Sequence, residues 1–172
     1  MKSLKLYRVG LSFRVLASAF LIAVGVGYLF GLVNIYNNTG FSYTGIVTHY
    51  RGEDSAPVPP DFAVVKLVQE HHVHLFGLSM IFFLAGFIFC LTSLPEWFKA
   101  FLLVIPFAGM LLDFTSFWLL VFVSPVFAFC SMVFGGLMAL SFFLIVLRPL
   151  YEMWIIPIWR HKWGREIPWF LR

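Results

Sequence analysis

The stretch LFGLSMIFFLAGFIFCL, Leu75–Leu91, carries no charged residue, and it is preceded directly by Glu70-His71-His72-Val73-His74. Extended back to Leu67 and on to Thr92, the run suffices as a helix to cross a bilayer, which takes about 20 residues at ~1.5 Å rise each. Comparable runs lie at about Val9–Val33, Phe98–Val123 and Val126–Leu147. Composition agrees: 61% of the 172 residues are hydrophobic and only 12% are charged, with mean hydropathy +0.92. Soluble domains do not have this balance. The expectation is an all-α integral membrane protein, a single membrane domain over residues 1–172 with four transmembrane helices at about 9–33, 67–92, 98–123 and 126–147.

The first run follows Lys2, Lys5 and Arg8 but is longer than the apolar region of a signal peptide and lacks a small-residue cleavage site, so it is read as a retained anchor. Lys2, Lys5, Arg8, Arg14, Lys99, Arg148, Arg160, Lys162, Arg165 and Arg172 flank the spans on one side; of the 12 basic residues only Arg51 and Lys66 fall in the long loop. The positive-inside rule then predicts both termini in the cytoplasm and the loop at 34–66 outside; the expected setting is a bacterial inner membrane. The formal charge of +4 reports orientation and contact with anionic lipid, not nucleic-acid binding. Two cysteines are too few for a disulfide framework.

Between the runs, Ser93-Leu94-Pro95-Glu96 and Ser124-Pro125 are short. Short links make neighbouring helices antiparallel, so an up-down-up-down bundle follows. The loop at 34–66 is expected to be ordered: Asn37-Asn38-Thr39-Gly40 has turn chemistry, Phe41–Tyr50 alternates enough for a short strand, and Pro57, Pro59 and Pro60 stiffen the return. The tail at 148–172, with Trp154, Trp159, Trp163 and Trp169 among basic residues, suits the cytoplasmic headgroup layer.

Ionisable side chains are costly in hydrocarbon and are usually kept there for a purpose. At ~1.5 Å per residue, His74 lies about 27 Å from Thr92 and Asp113 about 22 Å from Phe98, which places the two at similar depth. Pro106, Gly109, Asp113 and Ser116 recur at the spacing of one inward helix face. On the second helix Glu70 and His74 are one turn apart, His71 leans the same way, and His72 points largely opposite at ~100° per residue. Thr48-His49-Tyr50-Arg51 in the loop brings another imidazole.

Three chemistries suit these residues. His74 or His72 is one axial ligand of a haem b with His49 the opposite ligand, Met110 or Met132 being substitutes, and Asp113 or Glu70 fixes a ring tautomer. Alternatively, His49, His72 and His74 hold copper or zinc, with Glu70 or Asp113 adding oxygen. Or the cluster is a quinone pocket or proton relay built on imidazole. Four antiparallel helices with histidines near one surface resemble, in architecture, the membrane cytochrome b subunits that anchor respiratory complexes, although here the first, third and fourth helices contain no histidine. That resemblance implies a small subunit of a respiratory or other redox complex, with other membrane or extracytoplasmic redox subunits as partners beside the lipid bilayer. The rival expectation is a cofactor-free scaffold or assembly subunit whose histidines hold the loop to the bundle. The sequence has no nucleophile paired with a base, no phosphate loop and no soluble catalytic domain, so electron transfer or a non-catalytic role is expected before self-contained catalysis.

Overall fold

A computed structural model of the chain describes Leu6 and residues 9–157. It contains five α-helices, α1 (Leu11–Thr39), α2 (Tyr43–Arg51), α3 (Pro60–Cys90), α4 (Glu96–Phe122) and α5 (Phe127–Leu150), with a two-residue hairpin, β1 (Gly52–Glu53) and β2 (Ala56–Pro57), before α3. Four helical spans are long and apolar enough to cross a membrane: Leu11–Thr39, Pro60–Cys90, Glu96–Phe122 and Phe127–Ile155, the last including a π-helical turn at Tyr151–Ile155. The protein is an all-α integral membrane protein. The expected tail residues Trp159, His161, Trp163 and Trp169, and the basic residues Lys2, Lys5 and Arg8, lie outside the described residues.

The loop is shorter than the sequence suggested, because helices invade it from both sides. α1 runs on through Asn34–Thr39, the expected start of the loop, and takes in Asn37-Asn38-Thr39 of the expected turn. Its last polar side chains bond back to their own helix: Asn38 Nδ2 donates to the Asn34 carbonyl at 2.8 Å and Thr39 Oγ1 to the Ile35 carbonyl at 2.8 Å. Gly40, left-handed at φ 59°, then ends the helix and donates its N–H to the Tyr36 carbonyl. On the other side, Pro60 occupies the first turn of α3, where its missing N–H costs nothing, and Asp61 faces the positive helix end.

The strand expected within Phe41–Tyr50 is instead α2. Ser42 caps it, accepting from the Gly45 N–H at 3.0 Å. Ile46, Val47 and Tyr50 have helical rather than alternating spacing, and they pack on Phe117, Leu120, Val121, Phe127 and Ala128 at the adjoining ends of α4 and α5. The helix closes tightly on α1: a Cβ built on Gly45 would lie 1.9 Å from the Thr39 carbonyl oxygen.

The main core runs along α3, α4 and α5 and includes Phe82, Phe89, Met110, Phe142 and Ile145, with α1 adding Ala17 and Leu21. α4 and α5 pack most extensively, and α1 lies more lightly against the others. Tyr28 joins α1 to α5 by stacking on Phe142 at 4.4 Å between ring centroids. Leu16, Phe30, Phe76, Phe83, Phe87, Val104 and Phe129 point outward, as a surface solvated by acyl chains requires. The stripe Pro106, Gly109, Asp113 and Ser116 is buried throughout. Both cysteines are free.

The fourth span also outlasts its expected end at 147, so the tail begins later than 148. Pro149 removes one backbone donor, yet the helix continues into the π-turn because Glu152, fully buried, is held at 2.9 Å by Arg148 Nη2 one turn earlier and by the Ser93 N–H and hydroxyl from the turn between α3 and α4. Trp154 Nε1 then donates to Ser18 Oγ on α1 at 2.8 Å. A tail that was expected to lie along the membrane therefore begins as part of the bundle.

Gly45→Ala should destabilise the protein by roughly 1–3 kcal/mol, because neither the new methyl nor the Thr39 backbone has room to move. Gly136, where a Cβ meets nothing within 4 Å, is the control: Gly136→Ala should leave thermal unfolding in detergent unchanged or raise its midpoint.

Candidate functional site

α2 crosses the end of the bundle where α3 begins, and the two helices share a ladder of polar contacts. Lys66 and Glu70 are one turn apart on α3 and so face the same way. Lys66 Nζ meets His49 Nε2 at 2.8 Å and the His49 carbonyl at 3.3 Å, and it stands 4.8 Å from the centroid of the Tyr50 ring. One turn along, Tyr50 donates its hydroxyl to Glu70 Oε2 at 3.0 Å. Arg51 reaches over to α4, where Nη1 lies 3.4 Å from the Leu120 carbonyl.

These contacts decide protonation at the α2 side. Burial and the neighbouring Lys66 charge push the His49 imidazole below its ordinary value, against a smaller opposing pull from Glu70. A neutral ring suits the geometry, since Nε2 must accept from the Lys66 ammonium. Burial, the Glu70 charge and the hydrogen bond to Glu70 raise the Tyr50 phenol, which keeps it a donor.

The helix histidines divide by phase. His71 is buried against α4: it stacks on Phe114 with centroids 4.3 Å apart and planes 9° from parallel, and its Nδ1 accepts from Trp118 Nε1 at 3.0 Å. The accepting Nδ1 leaves the proton of a neutral ring on Nε2. His72 and His74 are exposed. His72 lies edge-on to Phe76 on the far side of α3. His74 continues the face of Lys66 and Glu70, but α2 is only nine residues long and its Tyr50 and His49 are already engaged one and two turns earlier.

Asp113 is buried and accepts a hydrogen bond from Ser131 on α5, beside Gly135, whose Cβ would come to 3.8 Å from the carboxylate. Its inward direction is as the stripe on α4 requires. Among the described residues no hydrogen bond or ion pair joins it to Glu70, His71, His72 or His74, because Phe114 and Trp118, not Asp113, form the side of α4 that meets α3. The structure thus pairs His49 with Lys66 and Glu70 with Tyr50, and it does not gather the expected ligand set His49, His72, His74 and Glu70; no group of three or more His, Cys, Asp or Glu placed to hold a metal occurs among the described residues. Of the methionines considered as substitutes, Met110 is buried in the core and Met132 is exposed.

Lys66, Tyr50 and Trp118 belong to this cluster as well, although nothing in their type singles them out in the sequence. The four-residue spacing of Lys66 and Glu70, opposite the adjacent pair His49-Tyr50, was the available signal. The same holds for the polar knot at the opposite end, where Lys99 Nζ donates to the Cys90 carbonyl at 2.8 Å and Arg148 and Ser93 enclose Glu152. There the signal was the four-residue spacing of Arg148 and Glu152.

Since the docked His49 ring resists protonation relative to its ordinary value of 6.5, its contribution to docking is complete above that value and falls as pH drops below it, when the detached ring takes up a proton first. Hydrogen exchange of amides 43–51, corrected for intrinsic rates, should therefore accelerate as pH falls from about 6.5 to 5. In His49→Asn the acceleration should shrink, and an unchanged pH response in that variant would assign it to another group.

Residues 40–158 match the Aq_1264_TM family, described as a transmembrane helical domain. The matched segment starts at the glycine that ends α1 and takes in α2, the hairpin and the spans of α3, α4 and α5. No curated protein and no solved structure matches the chain. With well over half of its length matched, the chain belongs to the Aq_1264_TM family of transmembrane helical domains.

Proposed function

We propose that this protein is a non-catalytic subunit of a membrane assembly, a helical scaffold in which the polar ladder holds α2 and its hairpin as a fixed cap on the bundle. One observation carries the reading: on successive turns of α3, Lys66 and Glu70 are each engaged by the consecutive residues His49 and Tyr50. Groups committed to one another in this way serve attachment. Following the distribution of basic residues, the cap lies on the extracytoplasmic side of a bacterial inner membrane with both termini in the cytoplasm, where it presents α2 and the hairpin to a neighbouring subunit.

A second reading keeps the redox role. Its support is that His72 and His74 have no hydrogen-bond partner among the described residues and face outward near the cap. A haem b, copper, zinc or quinone would then sit between this chain and a neighbouring redox subunit that supplies the remaining contacts, rather than within the four-helix bundle. His49 and Asp113, engaged by Lys66 and Ser131, would act only from behind it.

Absorption spectra of dithionite-reduced protein purified from native membranes, with metal analysis, separate the two. The scaffold reading predicts no haem band and no stoichiometric metal, full stability in His72→Ala and His74→Ala, and a loss of about 1 kcal/mol in Tyr50→Phe. A haem band or bound metal that disappears in His72→Ala or His74→Ala would replace it with the redox reading.

A further inference from the structure

Beside the cap, the hairpin stands away from the ends of α3 and α4 and leaves a half-open cleft of about 450 Å³, within the size range of small-ligand sites. One side is apolar, formed by Ala63 at the start of α3 and Val121 and Phe122 at the end of α4; the other carries Arg51, Glu53 and Asp54. The cleft lies where α3 begins and α4 ends, and helices of 31 and 27 residues at ~1.5 Å rise each are long enough to reach from the hydrocarbon core into the headgroup layers.

The charges in it are unspent. Arg51 is half-buried, and among the described residues its one hydrogen bond, to the Leu120 carbonyl, is long at 3.4 Å, which leaves most of the guanidinium fork available to a ligand. Glu53 and Asp54 are exposed, and among the described residues they form no ion pair with Arg51 or with any other cation. A guanidinium and two carboxylates lining one cleft without closing on one another match a ligand that carries both signs. Guanidinium binds phosphate through paired N–H donors, and carboxylates bind a primary ammonium by charge and by its N–H groups. The apolar wall gives such a ligand's hydrocarbon part a place to lie.

We propose that this cleft binds the headgroup of a zwitterionic aminophospholipid, with the phosphate on Arg51, the ammonium on Glu53 and Asp54, and the start of an acyl chain along Val121 and Phe122. A trimethylated ammonium has no N–H to donate, so the site distinguishes phosphatidylethanolamine from phosphatidylcholine. A purely anionic lipid meets the two carboxylates without compensation. The assignment holds for either orientation of the chain in the membrane and does not depend on the role proposed above.

Native mass spectrometry of the full chain, released from detergent with added phosphatidylethanolamine, phosphatidylcholine or phosphatidylglycerol, reads the site directly. Phosphatidylethanolamine should be retained most and phosphatidylglycerol least, and Arg51→Gln should weaken phosphatidylethanolamine retention roughly tenfold, the worth of one charge-assisted contact. Combined Glu53→Gln and Asp54→Asn, at exposed positions where folding is not at stake, should erase the preference for phosphatidylethanolamine over phosphatidylcholine while retaining phosphate-dependent binding. Equal retention of the three lipids by the unmodified chain, or an unaltered preference in the double variant, would overturn the proposal. So would full competition by glycerophosphoethanolamine, which has the headgroup without the chains and would mark a soluble ligand instead.

Discussion

A lysine and a glutamate one turn apart at the start of a membrane-crossing helix must find partners or water, and the architecture of this protein follows from the way it supplies them. Lys66 and Glu70 are met by His49 and Tyr50 of a nine-residue helix that is too short to be stable alone. α2 therefore depends on the bundle for its existence, and the bundle depends on α2 to cover its polar first turns. The apolar face of Ile46, Val47 and Tyr50 against Leu120 and Ala128 adds the area that fixes the angle at which α2 lies.

The opposite end is solved with the same chemistry. Lys99 turns back to the carbonyls that close α3, and Glu152 is enclosed by Arg148 and Ser93. Between the two ends, helix association has no hydrophobic drive, because acyl chains are as apolar as the side chains. Close packing of α4 on α5, the buried Phe82, Phe89 and Phe142, and the Ser131–Asp113 hydrogen bond hold the middle. Polar staples at each end of a van der Waals middle account for a bundle whose outer surface is almost wholly apolar.

The spans were legible in the sequence because hydrocarbon imposes one demand, length without charge, that Leu75–Leu91 meets openly. The inward stripe of α4 was legible for the related reason that a carboxylate such as Asp113 has only one affordable direction. Helix ends were harder to read: asparagines and a threonine that signal a turn in water bond back to their own helix in Asn34–Thr39, and Pro60 opens a helix that hydropathy alone would begin at Leu67. α2 escaped because its amphipathic face is three residues wide and its partners are far off in the chain. The histidine-rich segment drew attention by its composition, yet its members went separate ways because adjacent residues on a helix diverge by ~100°: His71 to Trp118, His72 and His74 outward. Partners such as Tyr50, Lys66 and Glu152 are common residues whose importance comes from burial and pairing, which no single sequence displays.

The central claim, that the polar ladder fixes α2 on the bundle, is open to a distance measurement. Spin labels at the exposed positions Thr48 on α2 and Gln69 on α3 should give one narrow distribution by pulsed dipolar spectroscopy in lipid nanodiscs, and the distribution should broaden when Tyr50→Phe and Lys66→Gln are combined. A broad distribution in the otherwise unmodified chain, or a narrow one that survives loss of both contacts, would contradict the account.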